Sequence, residues 1–135
     1  MVINKQTVCK EIRRQTIQKI KILDYLKSVK VHPTAEIIYE HVKEELPTIT
    51  LATVYRNLKI LSDTNQILKL NINNESHYDY DLNYHQHFVC KKCNQIYDLF
   101  NKKVSLYALK NIDKEDYNVD FVHIIYYGIC KKCEE

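Results

Sequence analysis

Residues 50–81, TLATVYRNLKILSDTNQILKLNINNESHYDYD, change hydrophobic period from helical to alternating within a few positions. Over 51–63, Val54, Leu58 and Leu61 recur at helical spacing behind Thr50, a natural N-cap. Thr53, Tyr55, Arg56 and Lys59 fall away from that stripe, so the other side of the helix is basic and aromatic. After Asn65 the period becomes two: QILKLNI and SHYDYDL read as paired strands, and Asn73-Asn74 between them suits the positive φ of a tight hairpin turn. Upstream, IRRQTIQKIKILDYLKSV (12–29) places Ile17, Ile20, Leu23 and Leu26, with Ile22 and Val29, at helical spacing, with Thr16 as the expected cap. His32-Pro33-Thr34 interrupts it, and Thr34 caps a second helix that Pro47 stops. Three helices followed by a hairpin is the winged-helix arrangement, in which the last helix enters the major groove of double-stranded DNA. The expected readers are Thr53, Tyr55, Arg56, Asn57 and Lys59.

The asparagine-containing junction near 81–84 separates this block from a second one, which predicts domains at 1–81 and 82–135. FVCKKCNQIYDLF reads as strand, turn, strand; VSLYALKNI as a helix; YNVDFVHIIYYGIC as a long strand. The fold class is therefore α+β, a winged helix followed by a small α/β domain. With 135 residues, neither half is large enough to be stable with ease unless a metal or a partner supports it. Twelve Lys and Arg against seven Asp and Glu precede residue 71, and eight against ten follow it, so the basic character sits with the winged helix. A single glycine, Gly128, excludes glycine-rich nucleotide-binding loops. No apolar run is long enough to cross a bilayer and no signal-peptide pattern opens the chain, so a cytoplasmic protein without membrane or small organic substrate is expected.

Cys90-x-x-Cys93 and Cys130-x-x-Cys133 are two knuckles that together supply four thiolates, the donor set of a closed, structural zinc site. A thioredoxin-type dithiol needs one such motif at a helix N-terminus, not two after strand-like segments. Cys9 stands outside both knuckles and reads as an ordinary free thiol. His85-x-His87 puts two imidazoles on one face of a strand with Gln86 on the other; His77, Asp79 and Asp81 alternate likewise, and Asp98 follows the first knuckle. Nitrogen and carboxylate donors apart from the thiolates suit a harder divalent ion such as Fe²⁺ or Mn²⁺. The enzyme alternative is a zinc-dependent one acting on nucleic acid, but the HxE and PCxxC of the zinc deaminases are absent.

HPTAEIIYE, LATVYRNL, HQHFVCKKCNQIYDLF and YYGICKKC, in this order from about residue 14 to residue 133, resemble the ferric uptake regulator family. The resemblance implies a homodimeric, metal-responsive repressor that binds palindromic DNA, with the α/β domain as the dimerisation domain. It implies a regulatory metal site of His32, Asp79, His85, His87 and Asp98, reaching from the winged helix through the hinge to the second domain. Uptake regulators of the family usually carry Glu at the two acidic positions. Asp79 and Asp98 thus point to the peroxide-responsive branch, in which an iron-bound histidine, here His32 or His85, becomes oxidised. An iron- or zinc-uptake regulator using the same residues is the alternative. Three departures stand out: Thr16-Ile17-Gln18-Lys19 lacks the family's helix-start proline, the hairpin turn lacks glycine, and Tyr84, Gln86 and Val122 replace the ligands of an additional metal site. Strand alternation puts His123 on the face opposite Val122.

Overall fold

The computed structural model describes residues 5–134, with side chains from Thr16 onward; Cys9 lies outside the described side chains. In chain order the elements are α1 (Lys5–Ser28), α2 (Ala35–Glu45), α3 (Leu51–Asp63), β1 (Leu68–Ile72), β2 (Glu75–Asp79), β3 (Gln86–Cys90), β4 (Ile96–Leu99), α4 (Lys102–Lys110), β5 (Ile124–Gly128) and α5 (Lys131–Glu134). They form two compact units, residues 1–82 and 83–135. No described helix is long and apolar enough to cross a membrane.

In the first unit the expected helices form, with two corrections: the buried stripe of α1 runs through Gln18, Ile22 and Leu26, while Ile17 and Ile20 are exposed, and the helix starts earlier than read. Thr16 does not cap α1: the helix is already under way at Lys5, because KQTVCKEIRRQ contains neither Pro nor Gly to stop it. α2 and α3 begin as their caps require, the Thr34 and Thr50 hydroxyls accepting the amides of Ile37 and Thr53 at 3.5 and 3.2 Å. Ile22 of α1, Ile38 of α2, and Leu58 and Leu61 of α3 are fully buried against one another, and Tyr78 of β2 packs on the same core. β1 and β2 pair antiparallel from Leu68–Asp79 to Ile72–Glu75. Their turn is left-handed at both central residues, Asn73 with φ 53° and Asn74 with φ 62°. Asparagine tolerates that region because its short amide can bond locally; a Cβ-bearing residue without such an amide pays about 1–2 kcal/mol there. Asn74→Ala should therefore lower the unfolding free energy by about 1 kcal/mol while Asn74→Gly leaves it level or raises it, a pair that denaturant titration separates.

The second unit has a sheet of order β4-β3-β5, antiparallel between β3 and β4 and parallel between β3 and β5. A parallel neighbour requires a crossover, supplied by the segment containing α4. The long strand expected from residue 117 is shortened to Ile124–Gly128, because its ladder with β3 begins only at Gln86–Ile124 and the preceding residues have no strand beside them. Among the described residues, the buried side chains of this unit are Val89, Cys90, His85, Gln86, His87 and Ser105, so its centre is more polar than apolar. Phe100, Tyr107 and Tyr117 meanwhile stand 63–70% exposed.

Candidate metal centres and nucleic-acid interface

β3 delivers Cys90 to its C-terminal end, and β5 brings Cys130 beside it. Lys91 N–H donates to the Gly128 carbonyl at 2.8 Å, tying the two knuckles together. All four sulfur atoms lie within 4.8 Å of one another, with Cys93 and Cys130 Sγ 3.9 Å apart. Four thiolates around one zinc, at about 2.3 Å each, would sit about 3.8 Å apart, so only small shifts are needed. The amides of Cys130 and Cys93 point at Cys90 Sγ from 3.4 and 3.5 Å and hold that thiol down to about 6, while the neighbouring Cys130 sulfur pushes Cys133 up to about 12. Crowded sulfurs that ionise against one another are the environment a divalent cation resolves, and the donor set fits zinc. The second knuckle differs from its sequence reading: Cys130 is followed directly by the short α5.

A second donor set lies on the same sheet. His85 and His87 bring their Nε2 atoms within 3.1 Å of each other, and Asp98, paired with His87 across the β3–β4 ladder, sets Oδ1 3.4 and 3.1 Å from those two nitrogens. His85 Nδ1 lies 2.6 Å from the Asn83 carbonyl, which can only accept, so Nδ1 is the donor there and Nε2 is the atom left for a metal. Gln86 points to the other face, donating to Ser105 Oγ at 2.7 Å and to the Asn101 carbonyl at 2.9 Å.

In the first unit, His32 precedes α2 and Asp79 ends β2. His77 Nδ1 donates to the His32 carbonyl at 2.7 Å and Tyr78 N–H to the Pro33 carbonyl at 3.0 Å, so the loop is stitched to the strand. This sets His32 Nε2 3.2 Å from Asp79 Oδ2. On α3, Tyr55, Arg56 and Lys59 are exposed. The Tyr55 hydroxyl donates to the Glu36 carboxylate, a bond that pushes the phenol's ionisation up to about 12 and fixes the ring; Lys59 pairs with Asp63 at 2.8 Å.

A sequence model of the Ferric uptake regulator family matches residues 10–127. The chain belongs to that family. Among relatives of this ferric uptake regulator family protein, the peroxide-responsive repressor of Staphylococcus epidermidis is 32% identical over 123 residues, 90% of this chain and 82% of that one. The Campylobacter jejuni peroxide stress regulator superposes with a TM-score of 0.82 at 33% identity, over 98% of this chain and 100% of that one. The Helicobacter pylori ferric uptake regulator, at 18% identity, shares the fold with a TM-score of 0.75 over 96% of this chain and 91% of that one. The chain is thus a metal-responsive regulator, not an enzyme, and the nucleic-acid enzyme alternative falls.

One residue of this family member lies elsewhere than its sequence reading. Asn57 is only 6% exposed, its amide donating to the Thr53 carbonyl at 2.9 Å, so it turns into the helix layer and away from the basic face. His123, set by the sequence on the face opposite Val122, is on the side of the donor set: its Nε2 lies 2.7 Å from His87 Nδ1. Alternation agrees with this, because His87 pairs with Ile125 in the β3–β5 ladder and His123 stands two residues before Ile125. Glu36 was also missed; nothing in its helical position announces a partner nineteen residues on.

Proposed function

We propose that the chain is a cytoplasmic homodimeric repressor that binds palindromic operator DNA while Fe²⁺ or Mn²⁺ is held by His32, Asp79, His85, His87 and Asp98, and that peroxide relieves repression by oxidising His32 or His85. The observation that carries this reading is the spacing of the donors. Ligands about 2.1–2.2 Å from one metal lie about 3.0–3.5 Å from each other. His85, His87 and Asp98 form such a triangle in one unit, and His32 with Asp79 forms an edge of matching length, 3.2 Å, in the other. One ion using both sets would clamp the DNA-binding unit to the second unit. In a dimer that fixes the distance between two α3 helices, which must enter successive major grooves about 34–36 Å apart. The exposed aromatics Phe100, Tyr107 and Tyr117, on a unit with few buried apolar side chains, support association through that unit. Structural zinc at Cys90, Cys93, Cys130 and Cys133 completes the assignment.

Peroxide sensing, as opposed to metal uptake, is supported by Asp79 and Asp98 in place of glutamates and by the peroxide-responsive relatives. The test is operator binding, on DNA selected from random sequence by the Mn²⁺-loaded protein, with Fe²⁺, Mn²⁺ or Zn²⁺ and with or without peroxide. Release of the Fe²⁺ form alone on adding peroxide supports the reading; an Fe²⁺ form that stays bound makes the chain an uptake regulator.

DNA contact is assigned to α3. Tyr55, held by Glu36, offers its ring to a thymine methyl, and Arg56 reaches a guanine edge or a phosphate, with Thr53 and Lys59 beside them. Arg56→Ala should weaken operator binding by about 1–3 kcal/mol if it reads a base, and should flatten the salt dependence if it touches phosphate. Salt-dependent titrations of this variant and Tyr55→Ala check this; two variants with wild-type affinity would remove α3 as the reader.

A further inference from the structure

We infer that His123 is a positioning residue for the regulatory metal site: it accepts the Nδ1 proton of His87 and so turns the His87 Nε2 lone pair toward the metal. The inference rests on the proposed ligand set. A histidine that binds through Nε2 must carry its proton on Nδ1, and the group that receives that proton fixes both tautomer and ring angle. For His85 the Asn83 carbonyl settles the matter, since it has nothing to donate. His87 is different. Its Nδ1 faces another imidazole, His123 Nε2 at 2.7 Å, with ring centroids 4.9 Å apart and planes at 77°, an edge-on approach that aims one ring nitrogen at the other. His87 is fully buried, and on its far side Nε2 stands 3.1 Å from both His85 Nε2 and Asp98 Oδ1. Two tautomers are open to that arrangement. With the proton on Nε2, His87 would bond Asp98 and be closed to a metal; with the proton on Nδ1, it bonds His123 and faces the ligand triangle. An acceptor at His123 selects the second when a cation arrives, and β5 holds it there because His123 immediately precedes the strand's first ladder residue.

The test compares His123→Phe, which keeps a ring but removes the acceptor, with His123→Gln, whose Oε1 occupies about the position of Nε2. Co²⁺ affinity at the regulatory site is measured by titration on protein with its thiolate site already zinc-filled. The Nδ1–H of His87 is followed by ¹H–¹⁵N NMR in the zinc-saturated protein. In wild type, His87 is expected to be metal-bound through Nε2, with an Nδ1–H that is shifted downfield and slow to exchange. His123→Phe should weaken Co²⁺ binding about 10- to 100-fold and make that proton exchange fast, and His123→Gln should restore both. Unchanged affinity and exchange in His123→Phe, or a wild-type spectrum in which His123 itself binds the metal, overturns the inference. A wild-type spectrum in which His87 Nε2 binds no metal is a separate result: it overturns the ligand set, and the inference with it.

Discussion

Cys93→Ser is expected to empty the thiolate site and unfold residues 83–135 while the winged helix keeps its structure. The asymmetry follows from where apolar surface is buried. The first unit has a continuous core of Ile22, Ile38, Leu58, Leu61 and their neighbours. The second buries Val89 and Cys90 beside four polar side chains, too little to offset chain entropy on its own. Structural zinc supplies roughly 10–16 kcal/mol of apparent binding free energy in small domains, and in them that binding is part of folding. Loss of one of four thiolates leaves the other three crowded and the knuckles untied. Metal analysis should fall from one tightly held zinc per chain to none, size-exclusion should show loss of the dimer, and circular dichroism should retain the helical signal of α1–α3. Cys9→Ser should change none of these. A zinc-free Cys93→Ser protein that remains folded and dimeric refutes the assignment.

Brief exposure of the Fe²⁺ form to peroxide should add one oxygen atom to a peptide containing His32 or His85, and none in the Mn²⁺ form. Iron at the proposed regulatory site would supply the reduction of peroxide. In net terms one peroxide oxygen would be inserted into an imidazole C–H bond and the other would leave as water, so the ring would be oxidised as peroxide is reduced. What the chain's residues contribute is position: His85 Nε2 belongs to the tight donor triangle, and His32 is held beside Asp79 by the hydrogen bonds from His77 and Tyr78 to its loop. An oxidised imidazole is a poor ligand. If His32 is the one lost, the proposed metal clamp on the DNA-binding unit would open and operator affinity should fall by at least the 10–100-fold typical of a disturbed metal shell. Peptide mass spectrometry with and without metal, repeated on Cys9→Ser, checks this. Intact His32 and His85 after peroxide would leave metal uptake as the better reading.

Periodicity and capping made the winged helix legible, because its elements are set by local rules: Thr34 and Thr50 cap as they read, and Asn73-Asn74 turn as they read. The CxxC pair was legible for the same reason, since two knuckles of fixed spacing need only be brought together. Thr16 misled because a good capping residue is also a tolerated interior residue when nothing upstream breaks the helix. Asn57 misled through its side chain. A polar residue on the edge of an amphipathic stripe turns inward when it can bond a carbonyl of its own helix, as Asn57 does to Thr53. Alternation put His123 opposite Val122, and the parallel pairing of β3 with β5 shows that this is the side of His87. Partners set by tertiary packing, such as Glu36 for Tyr55 and Ser105 for Gln86, have no local signature.

The parallel pairing of β3 and β5 also decides how the second unit would respond to mechanical pull. A chain drawn at its two ends would load β3 from its start at Gln86 and β5 from its finish at Gly128, opposite ends of strands that run the same way. The five paired positions would be strained in shear, sharing the load rather than opening one at a time. With a metal joining Cys90 to Cys130, tension would pass from the end of β3 through the metal to α5 and bypass the whole segment between the knuckles. A degradation machine hauling from the C-terminus would therefore meet metal–sulfur bonds before it met the sheet, and the lifetime of the protein under such a pull would be set by thiolate exchange at the knuckles.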